Sequence, residues 1–300
     1  MTIPLSNGVA VSVVAKSELS TSEKQNAKEF ISKARNERTI MTNPPTSGSL
    51  AMIQPAWHHV SGSEDYRAGE LYQTSLMSAL IEGLYEGEVT YGQIRMHGDF
   101  GLGTFNELDG EMVGFDGTFY QLRSDGSARP VTPDQKTPFA VVTFFKAEKE
   151  LNLMQPLTKS ALLAQIEKAT DANLFTAIRV DGLFDEVRTR TVARQARPFP
   201  PLTEAAKHQA EKVFNDVEGT LAGFRSPAFA QGIGVAGFHL HFLRQDKQAG
   251  GHALDYRLRA GKVQICTVHD LRVELPTSAE FLKTNFEDQA LNEKIKAAEG

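Results

Sequence analysis

Two histidines, His239 and His241, flank Leu240 in the run Val235-Ala236-Gly237-Phe238-His239-Leu240-His241-Phe242-Leu243. The centre of that run alternates polar and bulky apolar residues, the period-two signature of a strand. Residues i and i+2 of a strand point to one face, so the two imidazoles project side by side. The polar stretch Arg244 to Gly251 ends in Gly-Gly and reads as a hairpin loop. A returning antiparallel strand would begin at His252 and bring that ring back beside His241. Three imidazoles on one face leave a fourth position open, which is the ligand set of a catalytic zinc site rather than a closed structural one. The plainer alternative is a group of half-buried histidines with no ion between them.

Composition removes several classes of function. The chain has 300 residues, a net charge of −5 and a pI near 5.9. It has no basic excess to attract nucleic acid or anionic lipid. No stretch approaches 18 apolar residues, so no membrane span is expected. Val9 to Ala15 is the longest mostly apolar run near the start. It lacks a basic flank and a convincing cleavage site, which points to a cytoplasmic protein. Cys266 is the only cysteine. It excludes an intrachain disulfide and a thiolate zinc cluster, and within Val263 to Val268 it reads as a small buried hydrophobe. No P-loop, dinucleotide fingerprint or serine elbow is present.

Residues 1–50 differ from the remainder. Thr21 to Arg38 has the spacing of an amphipathic helix, with Ser20 and Glu23 as a capping box. Met41 to Ser49 reads as a linker, and the compact region begins at Ala51. Helices are expected at Leu71 to Leu84, Thr158 to Lys168, Leu202 to Phe214 and Ser278 to Ala298. Strands are expected at Thr90 to Met96, Gly101 to Asn106, Glu111 to Phe115, Phe119 to Arg123, Phe139 to Lys146, Phe175 to Asp181, Glu186 to Val192, Gly219 to Arg225, Val235 to Leu243, Ala253 to Ala260 and Lys262 to Leu275. Strands outnumber helices and do not alternate with them, which argues for an α+β or mixed-sheet protein.

A working His₃ site needs acids, bases or cations nearby. The sequence offers Glu107, Asp109 and Glu111 around one turn. It also offers Arg188 and Arg190, two residues apart, on a strand that would aim both to one side. Such charges are more often solvated than functional, yet an arginine on an inner strand face can clamp a carboxylate through two parallel hydrogen bonds. His97 and His269 are isolated and read as structural. His58 and His59 are adjacent, so at most one could face a site. His208 reads as exposed.

With these segments assembled, the chain resembles the acetolactate decarboxylase family. The resemblance runs from about Leu71 to the C-terminus. It is carried by Gly98 to Asn106, Leu108 to Met112, Phe119 to Gly126, Ile178 to Gly182, Arg188-Thr189-Arg190, Gly219 to Arg225, Gly237 to Phe242 and Gly250-Gly251-His252. It implies two subdomains built on mixed β-sheets with flanking helices, a metal site between them, and a homodimer. The catalytic domain would be 51–300, with a subdomain boundary near 150–175. It implies conversion of 2-acetolactate to acetoin and carbon dioxide, with zinc held by His239, His241 and His252. Zinc would take the ketone and hydroxyl oxygens and stabilise the enediolate left by decarboxylation, which a glutamic acid then protonates. The resemblance assigns Arg190 as the active-site arginine, Glu111 as a carboxylate with Thr104 nearby, and Glu299 in the tail as a second carboxylate. The sequence leaves open which glutamate donates the proton. Two other readings remain at this level: a zinc hydrolase acting on a small anion, and a metal-binding module without catalysis.

Overall fold

The computed structural model describes residues 2–4, 10–14, 69–287 and 290–299. The expected helix at 21–38, the linker at 41–49, and His58 and His59 lie outside them. Along the first half of the chain run β1 (Thr2–Pro4), β2 (Ala10–Val14), β3 (Glu70–Thr74), β4 (Val89–Thr90), β5 (Phe100–Thr104), β6 (Glu111–Phe115), β7 (Thr118–Leu122), β8 (Ala128–Pro130), β9 (Lys136–Thr137) and β10 (Ala140–Thr143). The second half holds β11 (Lys149–Leu153), β12 (Leu157–Thr158), β13 (Phe175–Thr191), β14 (Ala210–Ser226), β15 (Gly237–Arg244), β16 (Gly250–Val268) and β17 (Asp270–Glu274). The described helices are short: α1 (Met77–Ile81), α2 (Tyr91–Ile94), α3 (Lys159–Ala169), α4 (Leu202–Ala205), α5 (Ala279–Lys283) and α6 (Leu291–Glu299). None of them is long and apolar enough to cross a membrane.

Two sheets carry the fold. The first is mixed, in the order β1-β2-β17-β3-β10-β5-β6-β7-β8, with β17 parallel to both β2 and β3. The second runs β11-β16-β13-β14-β15, and β15 pairs back onto β16. Strands β13 to β16 therefore close a ring of antiparallel ladders, which removes the free edge that β15 would otherwise present. Apolar residues of both sheets share one core: Leu102, Val113 and Val141 come from the first, and Ala177, Phe224 and Cys266 from the second. Gly223 permits this closeness. A Cβ there would lie 2.1 Å from the His239 carbonyl oxygen and 2.9 Å from Leu102 of the first sheet.

Several expected elements change. The fold is mostly β, with fewer and shorter helices than the α+β expectation. Leu71 to Leu84 divides into β3 and α1. Leu202 to Phe214 is helical only to His208, after which Ala210 opens the 17-residue β14. The expected strands Phe175 to Asp181 and Glu186 to Val192 join across Asp181-Gly182. Strand β13 runs through it, and its register against β16 shifts between Leu183 and Phe184, between Phe184 and Glu186, and between Arg188 and Thr189. Extra residues absorbed as bulges bend a strand without ending it. Ala253 to Ala260 and Lys262 to Val268 likewise form one strand, β16. Ser278 to Ala298 holds two helices, α5 and α6, with non-helical residues at 284–287. The helix at Thr158 to Lys168 appears one residue on as α3, capped by the Thr158 hydroxyl, which accepts from the Ala161 N–H. Cys266 is buried, as expected.

Candidate active site

The ring closure is where the histidines meet. His239 and His241 alternate on β15, and the β15–β16 ladder sets His241 directly opposite His252. Ring centroids are 5.1 Å apart for His239–His241, 5.0 Å for His239–His252 and 5.4 Å for His241–His252. One nitrogen from each ring lies within 4.8 Å of the others. Burial lowers the His239 and His241 pKa values to about 3, and burial with the nearby Arg190 lowers His252 well below the ordinary range. All three rings are neutral, the form that binds a metal ion.

Two main-chain carbonyls fix the outer tautomers. His241 Nδ1 donates to the Met112 carbonyl at 2.7 Å, and His252 Nε2 donates to the Glu299 carbonyl at 3.1 Å. A carbonyl only accepts, so each ring keeps its lone pair on the other nitrogen. His241 Nε2 is then a buried acceptor with no hydrogen-bond partner. Such an orphan costs about 1–3 kcal/mol. A divalent cation among the three rings would satisfy it, and a ring N–H bonded outward to a carbonyl is the usual support for a metal-binding histidine. The donor set fits a borderline-soft ion such as zinc.

The first sheet supplies Glu111. It opens β6 just after a turn with Glu107 at φ 62°, Leu108 at φ 53° and Gly110 at φ 91°. At Gly110 a side chain is excluded, because a Cβ would lie 2.2 Å from the Leu122 carbonyl oxygen. Thr104 braces this turn: its buried hydroxyl donates to the Gly110 carbonyl at 2.8 Å. The other turn acids face away into ion pairs, Asp109 with Arg123 and Glu107 with Arg194. Glu111 Oε2 stands 3.7 Å from His241 Nε2. Burial, reinforced by Glu299 and opposed by Arg190, pushes the Glu111 pKa up to about 8.

Arg190 and Glu299 complete the cluster. The Arg190 side chain is 5% exposed, whereas Arg188 is 44% exposed and pairs with Glu211. Both lie on the regular β13–β14 ladder, opposite Val213 and Glu211, and differ in what covers them. Arg190 Nη1 donates to Gln209 Oε1 at 2.9 Å, Nη2 lies 3.5 Å from Glu299 Oε2, and Nε is buried without a partner. Glu299 Oε2 is also 3.4 Å from His239 Nε2 and 3.7 Å from His252 Nδ1. Burial raises the Glu299 pKa and Arg190 opposes the rise. Helix α6 delivers this carboxylate by burying Ile295 and Ala298 against α1 and α4. Burying Ile295 contributes about 1.5–3 kcal/mol to that docking.

The seven residues that the resemblance assigns thus come together, with Thr104 lining one small space with Glu111, Arg190 and Glu299. His97 stacks on Tyr72 with centroids 3.9 Å apart, away from the cluster, and His208 is exposed. Sequence reasoning missed Gln209, which holds Arg190, and the carbonyls of Met112 and Glu299. Main-chain groups leave no trace in residue identity. A cavity of about 270 Å³ opens onto His239, His252 and Glu299, with Asn292 and Lys296 on its helical side. Their spacing with Glu299, i, i+4 and i+7, is a one-face stripe that becomes legible once the helix starts at Leu291.

Known proteins resemble this chain over most of its length. The family model described as alpha-acetolactate decarboxylase matches residues 71–288. The alpha-acetolactate decarboxylase of Klebsiella aerogenes is 46% identical over 230 residues, 76% of this chain and 88% of that protein. The Bacillus subtilis (strain 168) enzyme of the same name is 41% identical over 240 residues, 80% of this chain and 94% of that one. A crystal structure of alpha-acetolactate decarboxylase from Bacillus subtilis strain 168 superposes with a TM-score of 0.76 at 42% identity, covering 77% of this chain and 99% of that chain. The matched residues of the family model end before Glu299.

Proposed function

The chain belongs to the alpha-acetolactate decarboxylase family and is an enzyme of that type, and from that premise we propose that it converts 2-acetolactate to acetoin and carbon dioxide with a zinc ion held by His239, His241 and His252. The observation that carries the metal part is the buried, unpartnered Nε2 of His241 beside two other neutral imidazoles. A bound zinc ion supplies Lewis acidity, polarising the substrate's ketone oxygen and offsetting the negative charge that develops on it.

The chain's own groups do the remainder. Arg190 has a free, buried Nε to direct at a substrate oxygen, while Gln209 and Glu299 hold its two terminal nitrogens. As the bond to the carboxylate breaks, carbon dioxide leaves, and the electron pair passes toward the ketone oxygen. The carbon left behind must then gain a proton. We assign that proton to Glu111. Burial and the neighbouring Glu299 raise its pKa, which favours the protonated state a general acid requires. Glu299 lies within reach of Arg190, which favours its ionised form against the opposite pull of burial, and its interaction with Glu111 raises the Glu111 pKa. Two carboxyls coupled in this way titrate as a pair. Thr104 positions Glu111 by bracing the turn before it. Residues 51–300 are proposed as the catalytic region and 1–50 as an extension whose strands β1 and β2 join the first sheet beside β17, and a homodimer is part of the same proposal.

One assay tests the whole. Acetoin should form from racemic 2-acetolactate, disappear with chelator and return with zinc. Undiminished acetoin formation by metal-free protein would remove zinc from the account. Zinc-dependent hydrolysis of simple esters without acetoin would favour a hydrolase instead.

A further inference from the structure

The proposed substrate is a carboxylate, and the chain as a whole is acidic, with a net charge of −5. The proposed zinc supplies positive charge at the imidazoles, and a further cation on the cavity wall would add attraction along the approach. Arg190 lines a smaller space of about 30 Å³ together with Thr104, Glu111 and Glu299. The cavity of about 270 Å³ that His239, His252 and Glu299 also line has one lysine or arginine on its wall, Lys296. That side chain is exposed and makes no ion pair with any described residue, and Glu299 follows it by three residues on the same helix. Opposite it the wall is apolar, through Val235, Ala236 and Phe238.

We propose that Lys296 receives the substrate's carboxylate at the cavity mouth, so that the anion enters with its carboxylate toward α6 and its ketone and hydroxyl oxygens toward the imidazoles. The inference rests on acetolactate being the substrate. It also has a kinetic consequence. A cation on the carboxylate stabilises the ground state at least as well as the transition state, because that group loses its charge as carbon dioxide departs. Such a contact lowers KM and leaves kcat unaided. Lys296 is thus a specificity residue at the rim, distinct from the buried Arg190.

The test is steady-state kinetics on the full-length zinc-loaded protein with Lys296→Met, Lys296→Glu and Lys296→Arg. Lys296→Met should raise KM about three- to tenfold, the range of a partly solvated charge contact, with kcat unchanged. Lys296→Glu should raise it further, and Lys296→Arg should restore it. The salt dependence of kcat/KM should flatten in Lys296→Met, since a rim charge acts largely through encounter. An unmodified protein that makes acetoin, alongside a Lys296→Met variant with the same KM and salt dependence, overturns the role of Lys296. An unmodified protein that makes no acetoin overturns the substrate assignment instead.

Discussion

The β15–β16 hairpin and helix α6 bring groups to the same few ångströms by different physics. The hairpin places three imidazoles through a continuous ladder, with Gly223 and the closed ring holding the strands in register. Helix α6 is nine residues long and docks by burying Ile295 and Ala298, yet it delivers Glu299 to within 3.7 Å of two of those rings. A ladder resists small displacements, because moving one residue disturbs many hydrogen bonds. A short helix depends on a few contacts and belongs to the less stable part of a fold. The comparison assigns metal retention to the hairpin and acid–base control to the pieces packed against it.

The largest effect should come from the hairpin. His241→Ala should lose both the metal and acetoin formation, read by elemental analysis and assay. A fully active, metal-free His241→Ala protein would break the hairpin's half of the comparison. Next comes the acid on the first sheet. Glu111→Gln should keep its zinc and lose about 10²–10⁴-fold in turnover, the contribution of a general acid. Equal loss of zinc would mean that Glu111 supports the metal as well. Arg190→Lys keeps the charge but loses the planar fork that Gln209 and Glu299 hold. It should cost about 10²-fold in kcat, the size of one preorganised donor. If Arg188→Lys is the damaged variant instead, the burial argument has chosen the wrong arginine.

The smallest effect lies outside the site and provides a background against which the others are read. Burial lowers the His97 pKa to about 4, from the ordinary value of about 6.5. Between those values the unfolded chain binds a proton that the folded chain does not. Stability from this group is therefore complete above about pH 6.5 and is lost as pH falls toward 4. His97→Phe keeps an aromatic ring to stack on Tyr72 and removes the titration. Its urea midpoint should fall less between pH 7 and pH 4.5 than that of the unmodified protein. An equal fall would assign the acid sensitivity to other groups.

The same contrast explains what the sequence disclosed. His239, His241 and His252 were legible because a strand's period and a Gly-Gly return are local rules, and the ladder obeys them. The bulged β13 was not. Asp181-Gly182 has turn composition, but tertiary pairing with β14 and β16 carries the strand through it. Leu202 to Phe214 misled in the opposite direction: helical spacing continues past His208, and pairing with β13 overrides it. Arg190 and Arg188 could not be separated by spacing, because both lie on one face of β13 and only the packing of Gln209 and Glu299 against Arg190 tells them apart. Glu299 was legible only through resemblance. Its position depends on Ile295 and Ala298 packing against α1 and α4, which lie far away in sequence. No local pattern encodes such an encounter.

The division of labour between hairpin and helix is tested most directly by measuring zinc content and acetoin turnover together in Glu299→Gln. The account expects about one zinc per chain, unchanged from the unmodified protein, because the carbonyl that holds His252 belongs to the main chain and survives the substitution. Turnover should fall by about 10²-fold or more, since Arg190 loses its counter-charge and Glu111 loses the neighbour that keeps it protonated. Zinc lost in proportion to activity would contradict the account, by making Glu299 part of the metal's own support.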